Sequence, residues 1–106
     1  MDPAEADRRL TAGEIELIDV RERYEWDAGH VPGSVHIELE RFATGEVEIA
    51  REKPVAFICL SGFRSGMVTH AYRNAGYDAY NVTGGFAAWF HEGLPTEPDG
   101  ATVAPH

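Results

Sequence analysis

Pro54-Val55-Ala56-Phe57-Ile58-Cys59-Leu60-Ser61-Gly62-Phe63-Arg64-Ser65 is the stretch that decides the fold. Its first half is continuously apolar, as a strand covered on both faces must be. Its second half carries Gly62, the position most able to take the positive φ of a tight curl. Behind it, Ser65–Ala75 has helical spacing, with Met67, Val68, Ala71, Tyr72 and Ala75 on one face and Gly76 as the stop. A strand, a short loop and a helix in that order put a thiol, Cys59, beside a helix N-terminus. Loop N–H groups and the helix dipole favour negative charge there, so the thiol's pKa falls and it becomes a nucleophile.

The flanking chain repeats the alternation of strand and helix. Ala4–Thr11 reads as a short helix stopped by Gly13, and Glu16–Val20 as a buried strand. Glu22–Ala28 is a second short helix, with Tyr24 and Trp26 as its apolar contacts, and Pro32-Gly33 marks a turn. Ser34–Glu38 is a second strand and Leu39–Ala43 a helical turn. Asp78–Val82 is the last strand, and Gly84-Gly85 leads into a helix over Phe86–His91. This pattern predicts an α/β fold: a small parallel sheet of four to five strands with helices on both faces. Ligands of such sheets bind beyond the carboxyl ends of the strands, where Cys59 falls. One domain is expected over residues 1–96. The Thr, Glu, Pro, Asp and Gly composition of 97–106 reads as a frayed tail.

Charge narrows the partners. Residues 1–53 carry 14 acidic and 7 basic side chains and residues 54–106 carry 4 and 2, for a net −9. Such a surface repels nucleic acid and anionic membranes, and gives small anions no long-range attraction. With one cysteine there is neither an internal disulfide nor a multi-thiolate zinc site, and the five histidines lack ligand spacing. No second thiol is present to resolve an oxidised Cys59. The N-terminal residues lack a signal-peptide pattern and no apolar run reaches membrane-spanning length, so a cytoplasmic location is expected.

Three stretches are familiar together. Leu17-Ile18-Asp19-Val20-Arg21 is followed by Tyr24, Trp26 and Gly29-His30-Val31-Pro32-Gly33-Ser34; Cys59 to Ser65 fits Cys-x-x-Gly-x-Arg-Ser; and Val82-Thr83-Gly84-Gly85-Phe86 precedes Trp89. In these the chain resembles the rhodanese family of sulfurtransferases in its single-domain form, over about Ile15 to Pro95. The resemblance implies that Cys59 is nucleophile and persulfide carrier, with no metal or organic cofactor. The implied partners are a small sulfur donor such as thiosulfate or polysulfide and a cyanide or thiol acceptor, with a protein as either one an open option. Rhodanese-like domains also serve as non-catalytic interaction or regulatory modules, which is the alternative reading.

The residues supply the physical side of that expectation. A persulfide carries charge on its outer sulfur and needs converging donors, which the backbone of Leu60, Ser61, Gly62, Phe63, Arg64 and Ser65 can provide. Ser65 is expected to cap the helix. Arg64 either faces the bound anion or anchors the loop to a carboxylate such as Asp19. Anchoring is favoured because a buried strand-end Asp needs a partner, although Asp19 could equally cap the Glu22 helix. His30 is expected to fix its turn through a ring hydrogen bond, and Trp26 and Trp89 to serve packing. Cysteine phosphatases use a similar cradle with five residues between Cys and Arg; here there are four, and no loop acid to protonate a leaving alkoxide. Phosphatase is therefore a minor alternative. Family members that turn over thiosulfate well often carry a base directly after the cysteine, where this chain has Leu60, so thiosulfate is expected to be a poor donor.

Overall fold

The computed structural model describes residues 1–106. Pro3–Thr11 forms α1, started by Asp2, whose carboxylate accepts the Glu5 N–H at 2.8 Å, and by Pro3 in the first turn. Glu16–Asp19 (β1), Arg23–Ala28 (α2) and Val35–His36 (β2) follow, then a 3-10 turn at Leu39–Ala43. Val55–Ile58 (β3), Phe63–Asn74 (α3), Ala79–Asn81 (β4) and Gly85–His91 (α4) complete the chain. The four strands form one parallel sheet in the order β2-β1-β3-β4, with helices around it.

Side-chain alternation along β3 divides the core in two. Ala56 and Ile58 face the layer holding Ala6, Phe86 and Trp89, from α1 and α4. Val55, Phe57 and Cys59 face the layer holding Val68 of α3 and Ile49. Cys59 therefore starts on the α3 side because it is two residues beyond Phe57. The next two backbone carbonyls settle the rest of the loop: Phe86 N–H donates to the Cys59 carbonyl at 2.7 Å, and Ala87 N–H to that of Leu60 at 3.0 Å. That close approach needs Gly85, where a Cβ would lie 2.5 Å from the Cys59 oxygen.

Three expectations change. α3 starts at Phe63 behind Gly62 (φ 110°), so Ser65 sits inside the first turn and does not cap the helix. Only part of the predicted apolar face is buried: Val68 lies in the core, while Met67, Ala71 and Ala75 are exposed. Ser65 and Thr69 take the buried positions beside Val68, because the sheet meets the helix along that edge. The segment 97–106 is docked. His30 and Glu97 exchange both backbone hydrogen bonds, at 2.8 and 2.9 Å, and Thr102 N–H donates to the Ala28 carbonyl at 2.9 Å. Val103 packs against the core. Main-chain pairing does not depend on side-chain hydrophobicity, which is why composition gave no hint of it.

Candidate functional site

Cys59 is buried at the carboxyl end of β3, where the loop folds back over its sulfur. Gly62 N–H donates to Sγ at 3.1 Å and the Ser65 hydroxyl reaches it at 3.2 Å. Burial alone pushes the Cys59 thiol up. The Ser65 hydroxyl and the N–H groups of Ser65, Gly62 and Ser61 outweigh burial and hold it below its ordinary 9.0. Because α4 holds the Cys59 and Leu60 carbonyls, the loop presents N–H groups, not oxygens, to the sulfur. A nucleophile with a lowered pKa and converging donors is the arrangement sulfur chemistry requires.

Asn81, at the end of β4, braces the loop at two points. Its amide N–H donates to the Gly62 carbonyl at 3.0 Å, and its Oδ1 accepts the Ser65 hydroxyl at 2.6 Å. Ser65 has one hydroxyl proton and two acceptors, Cys59 Sγ and Asn81 Oδ1. A thiolate at Cys59 draws that proton toward sulfur; a neutral sulfur leaves it with Asn81.

Arg64 anchors the loop, but to Glu25 rather than to Asp19. Nη1 and Nη2 donate to the two Glu25 oxygens at 2.8 and 2.9 Å. Glu25 Oε1 also accepts the Glu22 N–H at 3.0 Å, so the residue that closes the α2 capping box also holds the Cys59 loop. The Glu25 carboxyl is pushed up by burial, yet Arg64 and the Glu22 N–H carry it below its usual value. The hydrogen bonds from Glu25 raise Arg64 in turn. Asp19 takes Arg21 instead: Nε and Nη2 reach its oxygens at 2.9 and 2.7 Å, and Nη2 also donates to the Gly29 carbonyl at 2.8 Å. Both side chains are fully buried, and the guanidinium lies 4.4 Å from the centre of the Phe86 ring. The strand-end Asp has its partner two residues away, inside the motif itself. Asp19 neither contacts the loop nor caps α2, whose N-cap is Glu22.

Glu25, Asn81 and Arg21 escaped the sequence reading. Glu25 occupies the position of an ordinary first-turn acid, and nothing local links it to Arg64, 39 positions away. Asn81 directly precedes the Val82-Thr83-Gly84-Gly85 run at a strand end, and that placement was the available clue. His30 does fix its turn: Nδ1 lies 2.7 Å from the Trp26 carbonyl, and its ring stacks on Trp26 with centroids 3.6 Å apart. Trp89 is fully buried.

Beside the loop lies a cavity of about 410 Å³ lined by Val20, Leu39, Arg64, Glu22, Glu38, Glu40 and His106. Since Glu25 neutralises Arg64, the uncompensated charge around this cavity is acidic.

A four-stranded parallel sheet with helices around it, whose central strand delivers one cysteine into a tight donor-lined loop, is the architecture of rhodanese-like domains. The chain belongs to the rhodanese family: the family model described as Rhodanese-like domain matches residues 2–92. YtwF of Bacillus subtilis, a protein named as a candidate sulfurtransferase, is 38% identical over 82 residues, covering 77% of this chain and 80% of YtwF. The HTH-type transcriptional regulator Rv0324 of Mycobacterium tuberculosis is 31% identical over 102 residues, covering 94% of this chain. The chain spans 45% of Rv0324 and 60% of a further relative, YqhL of Bacillus subtilis, less than two thirds of either length. Among solved structures, a rhodanese-related protein from Thermoplasma volcanium superposes with a TM-score of 0.84 at 26% identity, covering 92% of this chain and 95% of that one. No helix is long and apolar enough to cross a membrane.

Proposed function

We propose that the chain is a sulfurtransferase that carries a sulfane sulfur as a persulfide on Cys59. The observation that carries this reading is the pair of donors on Sγ, Gly62 N–H and the Ser65 hydroxyl, in a loop whose Cys59 and Leu60 carbonyls are held by α4. In the loading step the Cys59 thiolate attacks the outer sulfur of a donor R–S–SH. A sulfur–sulfur bond forms at Cys59, the donor's own sulfur–sulfur bond breaks, and R–S⁻ leaves and takes up a proton. In the unloading step an acceptor thiolate attacks the outer sulfur and regenerates the Cys59 thiolate. Loop N–H groups hold the charge on the outer sulfur between the two steps.

Small anionic donors are disfavoured by this site. Leu60 follows the cysteine, Arg64 is paired with Glu25, and the neighbouring cavity holds Glu22, Glu38 and Glu40. A persulfide whose organic part is neutral or cationic, or one held on a protein, brings less negative charge than thiosulfate and meets less of this repulsion.

The test is intact-protein mass spectrometry after incubation with thiosulfate, polysulfide and a neutral alkyl persulfide. A reductant-sensitive gain of one sulfur, lost in Cys59→Ser, is expected with the alkyl persulfide and, more slowly, with the anionic polysulfide. No gain with any donor removes the proposal in favour of a binding module. Release of phosphate from aryl phosphates would move it to the phosphatase reading. Thiosulfate turnover equal to that of Leu60→Arg at low salt would contradict the donor preference alone.

A further inference from the structure

An apolar feature without a partner begins at Phe63, on the rim of the loop. Phe63, Met67 and Ala71 recur every four residues along α3, and all three are exposed, Phe63 at 77% and Met67 at 50%. The 3-10 turn runs alongside, and between it and α3 lies an open groove of about 450 Å³ whose lining includes Leu39, Phe42, Met67, Ala71 and Tyr72. Exposed aromatic and Met side chains grouped in this way mark contact surfaces more than solvated ones.

The groove adjoins the cavity beside the Cys59 loop, since Leu39 and Glu40 line both. The apolar stretch therefore runs into a mouth carrying Glu22, Glu38 and Glu40. Arg64 adds no net charge there, since its Nη1 and Nη2 pair with the Glu25 carboxylate. His106 sits 3.3 Å from Glu22, and neither Arg41 nor His70 lines the groove or the cavity. A second copy of this chain would bring its own −9 charge to an acidic mouth, so self-association does not satisfy the surface. A basic partner does.

We propose that this groove and its acidic mouth dock a segment of a partner protein in which an apolar side chain lies among lysines or arginines, and that a cysteine of the segment exchanges sulfur with Cys59. The inference rests on the sulfurtransferase reading and names its substrate class. The apolar side chain sits between Phe42 and Met67; the basic residues face Glu40 and Glu38; the cysteine points toward the loop. Along α3, Phe63 to Ala71 spans about 12 Å at the helical rise. An extended segment covers that distance in about four residues. The exchange is the loading step already written: the partner's R–S–SH gives up its outer sulfur to the Cys59 thiolate and leaves as a thiolate.

The experiment compares two short synthetic peptides in persulfide form. Each has one cysteine and a leucine about four residues away, with lysines between them in one and glutamates in the other. At low salt the lysine peptide is expected to load Cys59 with kcat/KM about tenfold higher, and the advantage should shrink above about 0.5 M salt. Glu40→Gln and Met67→Ser should each lower the ratio of the lysine-peptide rate to the rate with a small neutral persulfide by about threefold or more. Equal rates for the two peptides, or a ratio unmoved by both substitutions, would overturn the docking proposal and leave the sulfurtransferase reading standing.

Binding decides the case in which no donor loads Cys59. The thiol-form peptides are then titrated onto Cys59→Ser by fluorescence anisotropy. Preference for the lysine peptide by about tenfold supports the groove on its own, and no preference overturns it. A stable dimer by sedimentation that Met67→Ser dissolves would assign the groove to a second copy and overturn the proposal as well.

Discussion

Replacing Glu25 tests the anchor of the Cys59 loop most directly. Its side chain is fully buried, and that of Arg64 is 12% exposed. Glu25→Ala deletes the two hydrogen bonds to Arg64 at 2.8 and 2.9 Å and the cap to the Glu22 N–H at 3.0 Å. It leaves a largely buried guanidinium without its counter-charge. Breaking one side of a buried pair costs about 3–5 kcal/mol, and the partial exposure of Arg64 places this case near 3. For a domain of this size that lowers Tm by roughly 12 °C. Glu25→Gln keeps an acceptor for Arg64 or for the cap but turns its amide N–H toward the guanidinium, and should cost about 2 kcal/mol. The paired variant Glu25→Leu, Arg64→Met should recover more than half of the single-site loss, because it removes the stranded charge.

The pH dependence carries its own sign. Glu25's folded pKa is depressed relative to its ordinary 4.5, so its contribution is complete above that value. It is lost as pH falls through the lower folded value, and the gap between wild type and Glu25→Gln should close in that window. Urea unfolding at neutral and acid pH measures both effects. A Glu25→Ala cost below about 1 kcal/mol, with no coupling to Arg64 in the double variant, would refute the anchoring role.

Ser65→Ala removes a donor from Cys59 Sγ and should raise the thiol pKa, read from the pH dependence of alkylation; an unchanged titration curve would count against the hydroxyl. Gly85→Ala puts a Cβ 2.5 Å from the Cys59 carbonyl oxygen at φ +61°. It should destabilise the fold by about 2–4 kcal/mol and slow alkylation of Cys59 beyond what stability explains, whereas a neutral outcome would mean α4 does not shape the loop. Gly29→Ala brings a Cβ to 2.6 Å from the Thr102 carbonyl in an extended backbone that itself tolerates alanine. Hydrogen exchange should therefore rise at Glu97 and Thr102, with β3 unaffected.

What the sequence disclosed follows from how local each signal is. β3 was legible because both of its faces are buried, so every residue from Val55 to Ile58 had to be apolar. The loop was legible because a positive-φ glycine between a strand and a helix has few other uses. Glu25 was hidden because its partner is fixed by tertiary distance alone, and the same first-turn position serves ordinary capping. The Arg21–Asp19 pair lies two positions apart within one run, and such a local pair leaves no periodicity or spacing that marks it as buried. On α3 the helical period was right, yet the sheet takes only one edge of the apolar arc. Met67 and Ala71 were consequently left facing the 3-10 turn, and periodicity does not say which edge is chosen.

The hydrogen bonds from Phe86 and Ala87 to the carbonyls behind Cys59 bear on when the site comes into being. A chain made from its N-terminus exposes Cys59 well before the residues that turn its loop inward. Until α4 docks, those carbonyls are free, the loop N–H groups do not converge, and the thiol behaves as an ordinary cysteine. The lowered thiol pKa is thus a property acquired late, at domain closure, and a chain without α4 in place carries Cys59 with the pKa of an ordinary cysteine.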